Sequence, residues 1–395
     1  MTLSFRKCAV TFAAAVLLLA AVPPPTTQRW IGTWEAAPAW ANPAISFTDT
    51  TLREIVHVSI GGALVRVRFA NTFGREPLTI GRATIALRAA GSWVAAPPDP
   101  LTFDGAPSIV VPPGAQVLSD ASPLRVLDGS DLSISIYLPG RADSVTVHPY
   151  ALQTNYAASG DHVADVPGAA YTQTYHAWYV LSGVDVSGTR AAGALVALGD
   201  SITDGGRSLP NQNRRWPDVL ARRLLRLPPA RRLGVLNAGI SGNRLLLDGG
   251  AFGVNALARF DRDVLAQSGV RDVIVLLGIN DLQQTPQQVD PLRLEAGLAQ
   301  IAARAHEHGL RILVCTILPS GGNPAASASV QAAREAVNAF IRTSKAFDGV
   351  CDFDRALRDP NDPTRMLPAY DSGDHLHPNT AGLQVMGSLV NLSEL

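Results

Sequence analysis

The sequence predicts two domains of different class: an all-β sandwich or jelly roll over residues 28–185, then a flavodoxin-like, doubly wound α/β domain over 190–395 with a five-stranded parallel sheet. Three observations predict it. Between Trp30 and Leu181 no run has helical periodicity, and short apolar stretches are punctuated by clusters such as Pro97-Pro98 and Pro112-Pro-Gly114. Leu64-Val-Arg-Val-Arg-Phe69 alternates with a period of two, the pattern of a half-buried strand. From Gly193 onward, five apolar runs alternate with helix-period segments, as in a parallel sheet covered on both faces.

The chain opens with Arg6-Lys7, an apolar stretch from Cys8 to Val22, and Pro23-Pro-Pro25. A basic segment followed by an apolar one of this length reads as a secretory signal over residues 1–27, with Leu19-Ala20-Ala21 as the weak small-residue candidate for cleavage. The stretch is short for a bilayer span. The mature protein is therefore expected to be secreted and free of a stable membrane span, with an uncleaved anchor as the alternative. Strands are expected at Thr51–His57 and Ala63–Phe69, flanking Gly61-Gly62, then at Leu78–Ile80, Ala83–Leu87, Ser108–Val111 and Leu132–Leu138. Ser182–Ala192, rich in Gly, Ser and Ala, reads as the linker.

In the second half the strand candidates are Ala194–Leu198, Leu233–Leu236, Val273–Leu277, Ile312–Ile317 and Gly349–Phe353. Between them, Arg215–Leu227 carries Val219, Leu220 and Leu224 at helical spacing, and Leu292–His308 and Val330–Ser344 behave alike. Cys315 and Cys351 each lie in or at the end of a strand-like run. Two buried thiols are expected there, although an oxidising compartment would also permit a disulfide.

Composition narrows the function. The chain is 47% hydrophobic and 17% charged, which excludes wholesale disorder. Lys plus Arg and Asp plus Glu are 33 each, and no basic cluster is interleaved with aromatics, so no nucleic-acid partner is expected. No Cys/His spacing suggests zinc, no Lys follows a glycine loop as in a Walker A, and no serine sits in a G-x-S-x-G elbow. Neither a cofactor nor a metal is expected.

In a parallel sheet the turns that follow the strands share one edge, where ligands bind. The first strand is followed by Gly199-Asp-Ser201, and the second by Asn237-Ala-Gly-Ile-Ser-Gly-Asn-Arg244. Gly278-Ile-Asn280-Asp281 follows the third, and a loop with Asp371, Asp374, His375, His377 and Pro378 follows the fifth. Four distant loops thus bring Ser, Gly, Asn, Asp and His to one crevice. Ser201 is the candidate nucleophile, and its plainer reading is a helix N-cap. His377 has a rival in His375, which could pair with Asp371. A helical segment there would let Asp374 and His377 project from one face. Asp200 reads as structural, binding nearby loop N–H groups. Ser241 lacks the strand-end context of a nucleophile. Asn243 and Arg244 either line the substrate cleft or bind loop carbonyls. His57 and His148, in the β half, read as packing or surface residues.

These motifs resemble those of the SGNH, or GDSL, hydrolases. Gly199-Asp-Ser201 is similar to the first family block, with Ile202 where the family name has Leu; Gly242 is similar to the second, Gly278-Ile-Asn280-Asp281 to the third, and Asp374-His-Leu-His377 to the last. The resemblance covers residues 193–395, and the β half with its Trp34-Glu-Ala-Ala-Pro opening resembles the leader domain of secreted two-domain members. It implies a Ser201–His377–Asp374 triad, with an oxyanion hole formed by the Ser201 N–H, the Gly242 N–H and the Asn280 amide.

The expected function is a secreted serine esterase acting on small-molecule or glycan carboxylic esters, short-chain, acetyl or aryl. Lipase, lysophospholipase or polysaccharide deacetylase activity on the same scaffold is the alternative. A non-catalytic glycan-binding protein, and a metal-dependent phosphoesterase gathering Asp200, Asp204, Asp371, Asp374 and His377, are readings of other classes. The β half is expected to pack near the cleft and limit substrate size. The sequence leaves oligomeric state open.

Overall fold

The computed structural model describes residues 28–395, so the signal expected over 1–27 lies outside the described residues. In the N-terminal half, one sheet has the order Trp30–Glu35, Leu181–Ser187, Leu64–Ala70, Gln116–Leu118. A larger sheet runs through Asn155–Ser159, Ser46–His57, Asp131–Asp143 and Arg82–Ala90. These pairings are antiparallel. Val65, Val67 and Phe69 are fully buried and share one apolar cluster with Leu52, Val56, Leu132 and Ile134 of the larger sheet.

The other face of Leu64–Ala70 is only partly open to solvent. Arg66 Nη2 donates to Ser268 Oγ at 3.0 Å and Arg68 Nη1 to Gln267 Oε1 at 2.6 Å, so the polar face docks on the second half of the chain. The linker expectation needs a correction for the same reason. Leu181–Ser187 is a wholly buried strand, paired on both sides. Its small polar residues hide a period of two: Val184 and Val186 fill the core, while Asp185 accepts from Arg66 Nε at 2.9 Å. Only residues 188–192 connect the halves.

The C-terminal sheet is parallel, with the order Leu233–Gly239, Gly193–Gly199, Val270–Leu276, Arg311–Cys315, Gly349–Cys351. In sequence terms this is the flavodoxin-like order 2-1-3-4-5. Helices Trp216–Leu224, Pro291–Glu307 and Ala328–Thr343 cover it, and the last buries Val330, Ala333, Val337 and Ile341 at helical spacing. Cys315 and Cys351 are register partners on adjacent strands, and both are buried free thiols.

The edge strand Leu233–Gly239 is closed by the other half. Val235 N–H donates to Ser59 Oγ at 2.8 Å, and Ala36 forms a parallel bridge with Asn237. The approach is so close that a Cβ on Gly234 would lie 2.0 Å from the Gly32 carbonyl oxygen. Among the described residues, no helix is long and apolar enough to cross a membrane.

Candidate active site

The first parallel strand ends at Gly199. Asp200 then caps the short helix Ser201–Asp204, its Oδ1 accepting from the Ile202 N–H at 3.0 Å. Ser201 therefore stands at the carboxyl edge of the sheet. Its Oγ is 2.8 Å from His377 Nε2, and His377 Nδ1 is 2.8 Å from Asp374 Oδ2. A turn, not a helix, brings these last two together: Asp374 Oδ1 accepts from the N–H groups of Leu376 at 3.0 Å and His377 at 2.8 Å. Partial burial pushes the Asp374 carboxyl up, but the His377 N–H, the His377 ring and the Leu376 N–H outweigh it and hold the group well below the usual carboxylate range. It is an ionised partner for the imidazole. Arg207 Nε also donates to Asp374 Oδ2, at 3.1 Å.

His375 pairs elsewhere. Its Nδ1 is 2.6 Å from Asp371 Oδ2, and that contact belongs to the loop rather than to Ser201.

The second and third strands bring up the donors. Gly242 has φ +80, and a Cβ there would lie 2.5 Å from Phe252 Cδ1, so both backbone and space require glycine. Asn280 lies on the short helix Ile279–Gln283. Its Nδ2 donates to the Asn243 carbonyl at 3.0 Å and its Oδ1 accepts from Gln284 at 2.9 Å, which fixes the amide orientation and leaves one N–H spare. The N–H groups of Ser201 and Gly242 have no hydrogen bond among the described residues. Ser201, Gly242, Asn280 and His377 line one cleft of about 400 Å³.

Residues 197–385 match the GDSL-like lipase/acylhydrolase family. Those residues form a GDSL-like domain. The solved structures that the chain is similar to include a GDSL-like lipase from Bacteroides thetaiotaomicron, at 20% identity over 51% of this chain and 87% of that one, with a TM-score of 0.38. An acetylxylan esterase from Geobacillus stearothermophilus is 22% identical over 50% of this chain and 91% of that one, with a TM-score of 0.39. An α/β hydrolase from the metagenome of Lake Arreo, Spain, is 24% identical over 51% of this chain and 95% of that one, with a TM-score of 0.38. No curated protein matches the chain.

Within the GDSL-like domain, Asn243 and Arg244 take the structural of their two expected roles. Asn243 is fully buried; its Nδ2 donates to the carbonyls of Phe252 at 2.9 Å and Val254 at 2.8 Å, and its Oδ1 accepts from Arg259 Nε at 3.0 Å. Arg244 donates to the Pro286 carbonyl at 2.6 Å. Neither lines the cleft, so their assignment to substrate binding is corrected. Both side chains are turned inward, toward loop carbonyls and the buried Arg259. The acidic groups that a phosphoesterase would gather do not converge. Asp371 pairs with His375, Asp374 with His377 and Asp204 with His148, while Asp200 caps a helix.

The cleft has walls that the motifs do not reveal. Tyr150 and Leu152 come from the β half, and Phe252 and Leu376 from loops of the GDSL-like domain. The segment bearing Tyr150 and Leu152 is tethered across the halves: Asn211 N–H donates to the Leu152 carbonyl at 2.8 Å, and Thr154 N–H donates to Asn211 Oδ1 at 2.7 Å. Leu152 is held at φ +50, a conformation costly for a bulky residue, which the surrounding contacts over-determine.

Burial, reinforced by the charge of Asp281, pushes the Asp200 carboxyl up to about 7, and its Oδ2 is buried without a partner. The fold thus binds this proton more tightly than the unfolded chain, whose Asp titrates near about 3.9. Stability from this site is fully present below about pH 4 and is lost as pH rises toward 7. Asp200→Asn keeps the capping oxygen and removes the titration. The variant is expected to gain on the wild type by on the order of 3 kcal/mol between pH 4 and pH 8. Denaturant midpoints across that range measure the gap; a gap independent of pH would refute the account.

Proposed function

We propose that this protein is a secreted serine esterase that hydrolyses carboxylic esters, short-chain, acetyl or aryl, through an acyl-enzyme. The observation that carries the reading is the chain of contacts from Ser201 Oγ to His377 to the ionised Asp374, at 2.8 Å each, beside the spare N–H donors of one cleft. Ser201 Oγ attacks the ester carbonyl carbon while His377 Nε2 takes the Oγ proton. The carbonyl oxygen, now negative, lies against the N–H groups of Ser201, Gly242 and Asn280; one such donor is worth about 10²–10³ in turnover. The C–O bond to the alcohol breaks and His377 returns the proton to the departing oxygen. Water then attacks the acyl-enzyme, with His377 again as base, releasing acid and free Ser201. Asp374 keeps the Nδ1–H tautomer and stabilises the imidazolium. These steps use no cofactor or metal.

A p-nitrophenyl ester series from acetyl to palmitoyl, with mature protein, tests the reading. Activity concentrated on short chains supports it. Activity concentrated on long chains favours a lipid substrate, and no activity at any length favours the glycan-binding alternative. The β half enters through Tyr150 and Leu152, which close one side of the cleft and limit the group it admits. Leu152→Ala is expected to raise the octanoate-to-acetate ratio of kcat/KM by about 10-fold, since one or a few methylenes in an apolar pocket discriminate by that order. An unchanged ratio would place the acyl group elsewhere.

A further inference from the structure

We propose that His148, on the β half, is a positioning residue for the reaction: through Asp204 and Ser241 it holds the loop that presents the Gly242 N–H to the oxyanion. The inference rests on the esterase reading of the site and extends it to the other half of the chain.

His148 lies in the buried strand Thr146–His148. Its Nδ1 is 3.0 Å from the Ala37 carbonyl oxygen. A carbonyl only accepts, so Nδ1 carries a hydrogen and donates it. Its Nε2 is 3.1 Å from Asp204 Oδ1, and one hydrogen lies between them, on the ring or on the carboxyl. The other oxygen, Asp204 Oδ2, accepts from Ser241 N–H at 3.0 Å and Ser241 Oγ at 2.6 Å. Gly242 is the next residue.

Asp204 also ends the helix that Ser201 begins. One buried carboxylate therefore ties together the nucleophile's helix, the oxyanion loop and the β half. His148 and Asp204 are each almost wholly buried, so neither end of the link can be replaced by water without a cavity. Gly242 takes its φ of +80 without strain, but glycine populates many other conformations as readily, so local preference does not hold the loop in this one and the tether does.

The test uses the full chain. His148→Leu fills the ring's space but leaves Asp204 Oδ1 unpaired. It is expected to lower kcat on p-nitrophenyl acetate by about 10- to 100-fold, with KM within about 2-fold, because a donor displaced by a fraction of an ångström acts on the transition state. The acid limb of the kcat/KM profile, which reports His377, stays where it is in the wild type. Hydrogen exchange at the Ser241 and Gly242 amides becomes faster, while exchange in strand Gly193–Gly199 does not change. His148→Gln keeps a donor to Oδ1 and restores most of kcat.

Turnover and loop exchange in His148→Leu equal to the wild type would overturn the proposal, as would a Gln variant no better than Leu. Ser241→Ala removes the shorter of the two bonds in the last link, Oγ to Asp204 Oδ2 at 2.6 Å, without touching the buried pair. If His148→Leu fails to fold, unchanged turnover and exchange in Ser241→Ala overturn the proposal instead. A wild-type chain inactive on every ester sinks the esterase reading alone, since the exchange measurement still tests the tether.

Discussion

Replacing Ser201 with Ala is expected to lower kcat on p-nitrophenyl acetate by about 10⁵–10⁶, with little change in KM or in thermal stability. The substitution removes one oxygen from a half-buried position whose side chain makes a single hydrogen bond, with His377 Nε2. The cap of the short helix belongs to Asp200, so the backbone there has no reason to move. What disappears is the hydroxyl that the proposed mechanism uses as nucleophile, beside His377 Nε2. His377→Ala is expected to cost nearly as much, and the double variant no more than the worse single one, because the groups act as one unit. The residual rate, about 10³–10⁴ above water, is that of the oxyanion donors and binding alone. The same assay decides between the two histidines. His375→Ala breaks only the pair with Asp371 and is expected to leave kcat within about 3-fold. If His375→Ala were the inactive variant and His377→Ala the active one, the assignment of the base would be wrong.

The largest effect on stability is expected at Arg259, which is wholly buried. Its Nη2 donates to the Gly199 carbonyl at 2.8 Å, its Nη1 to the Ala238 carbonyl at 2.8 Å, and its Nε to Asn243 Oδ1 at 3.0 Å. Nη1 also meets Asp263 Oδ2 at 3.0 Å. One guanidinium thus binds the carboxyl ends of the first two parallel strands and the loop that follows the second. Arg259→Leu leaves these acceptors buried and removes one of the two arginines that neutralise Asp263, the other being Arg262. Breaking a buried pair from one side typically costs about 3–5 kcal/mol, and denaturant unfolding of the variant should show a loss of that size. Turnover should fall as well, because the strand ends that Arg259 joins carry Ser201 and the loop of Gly242. Arg259→Lys keeps the charge but not the planar fork, so it is expected to rescue little. A Leu variant as stable as the wild type would mean that the neighbouring chain can satisfy these carbonyls without it.

How far the sequence could be read depended on the range of the physics involved. The strand Gly193–Gly199 and the helices after it declare themselves through period and burial, which a dozen neighbouring residues decide. The four loop motifs follow from the same rule, because a parallel sheet must deliver all its strand-end turns to one edge. Hence the sequence pattern alone sets the loops of Ser201, Gly242, Asn280, Asp374, His375 and His377 at one edge. Leu181–Ser187 escaped because its Ser, Gly and Asp look like a linker until its neighbours bury them. Asn243 and Arg244 looked like cleft residues because their type suits a ligand as well as it suits a loop carbonyl. The side chain itself cannot distinguish the two.

The sequence by itself determined the class of each half, the order of the motifs and the edge at which they meet. Only the tertiary structure decided which histidine faces Ser201, which loop residues turn inward, that Tyr150 and Leu152 of the β half line the cleft, and that His148 pairs with Asp204. Period and turn chemistry act between residues near in sequence. The docking of one half on the other depends on surfaces assembled from strands far apart, such as Leu64–Ala70 against residues 267–268, and no local pattern carries that information.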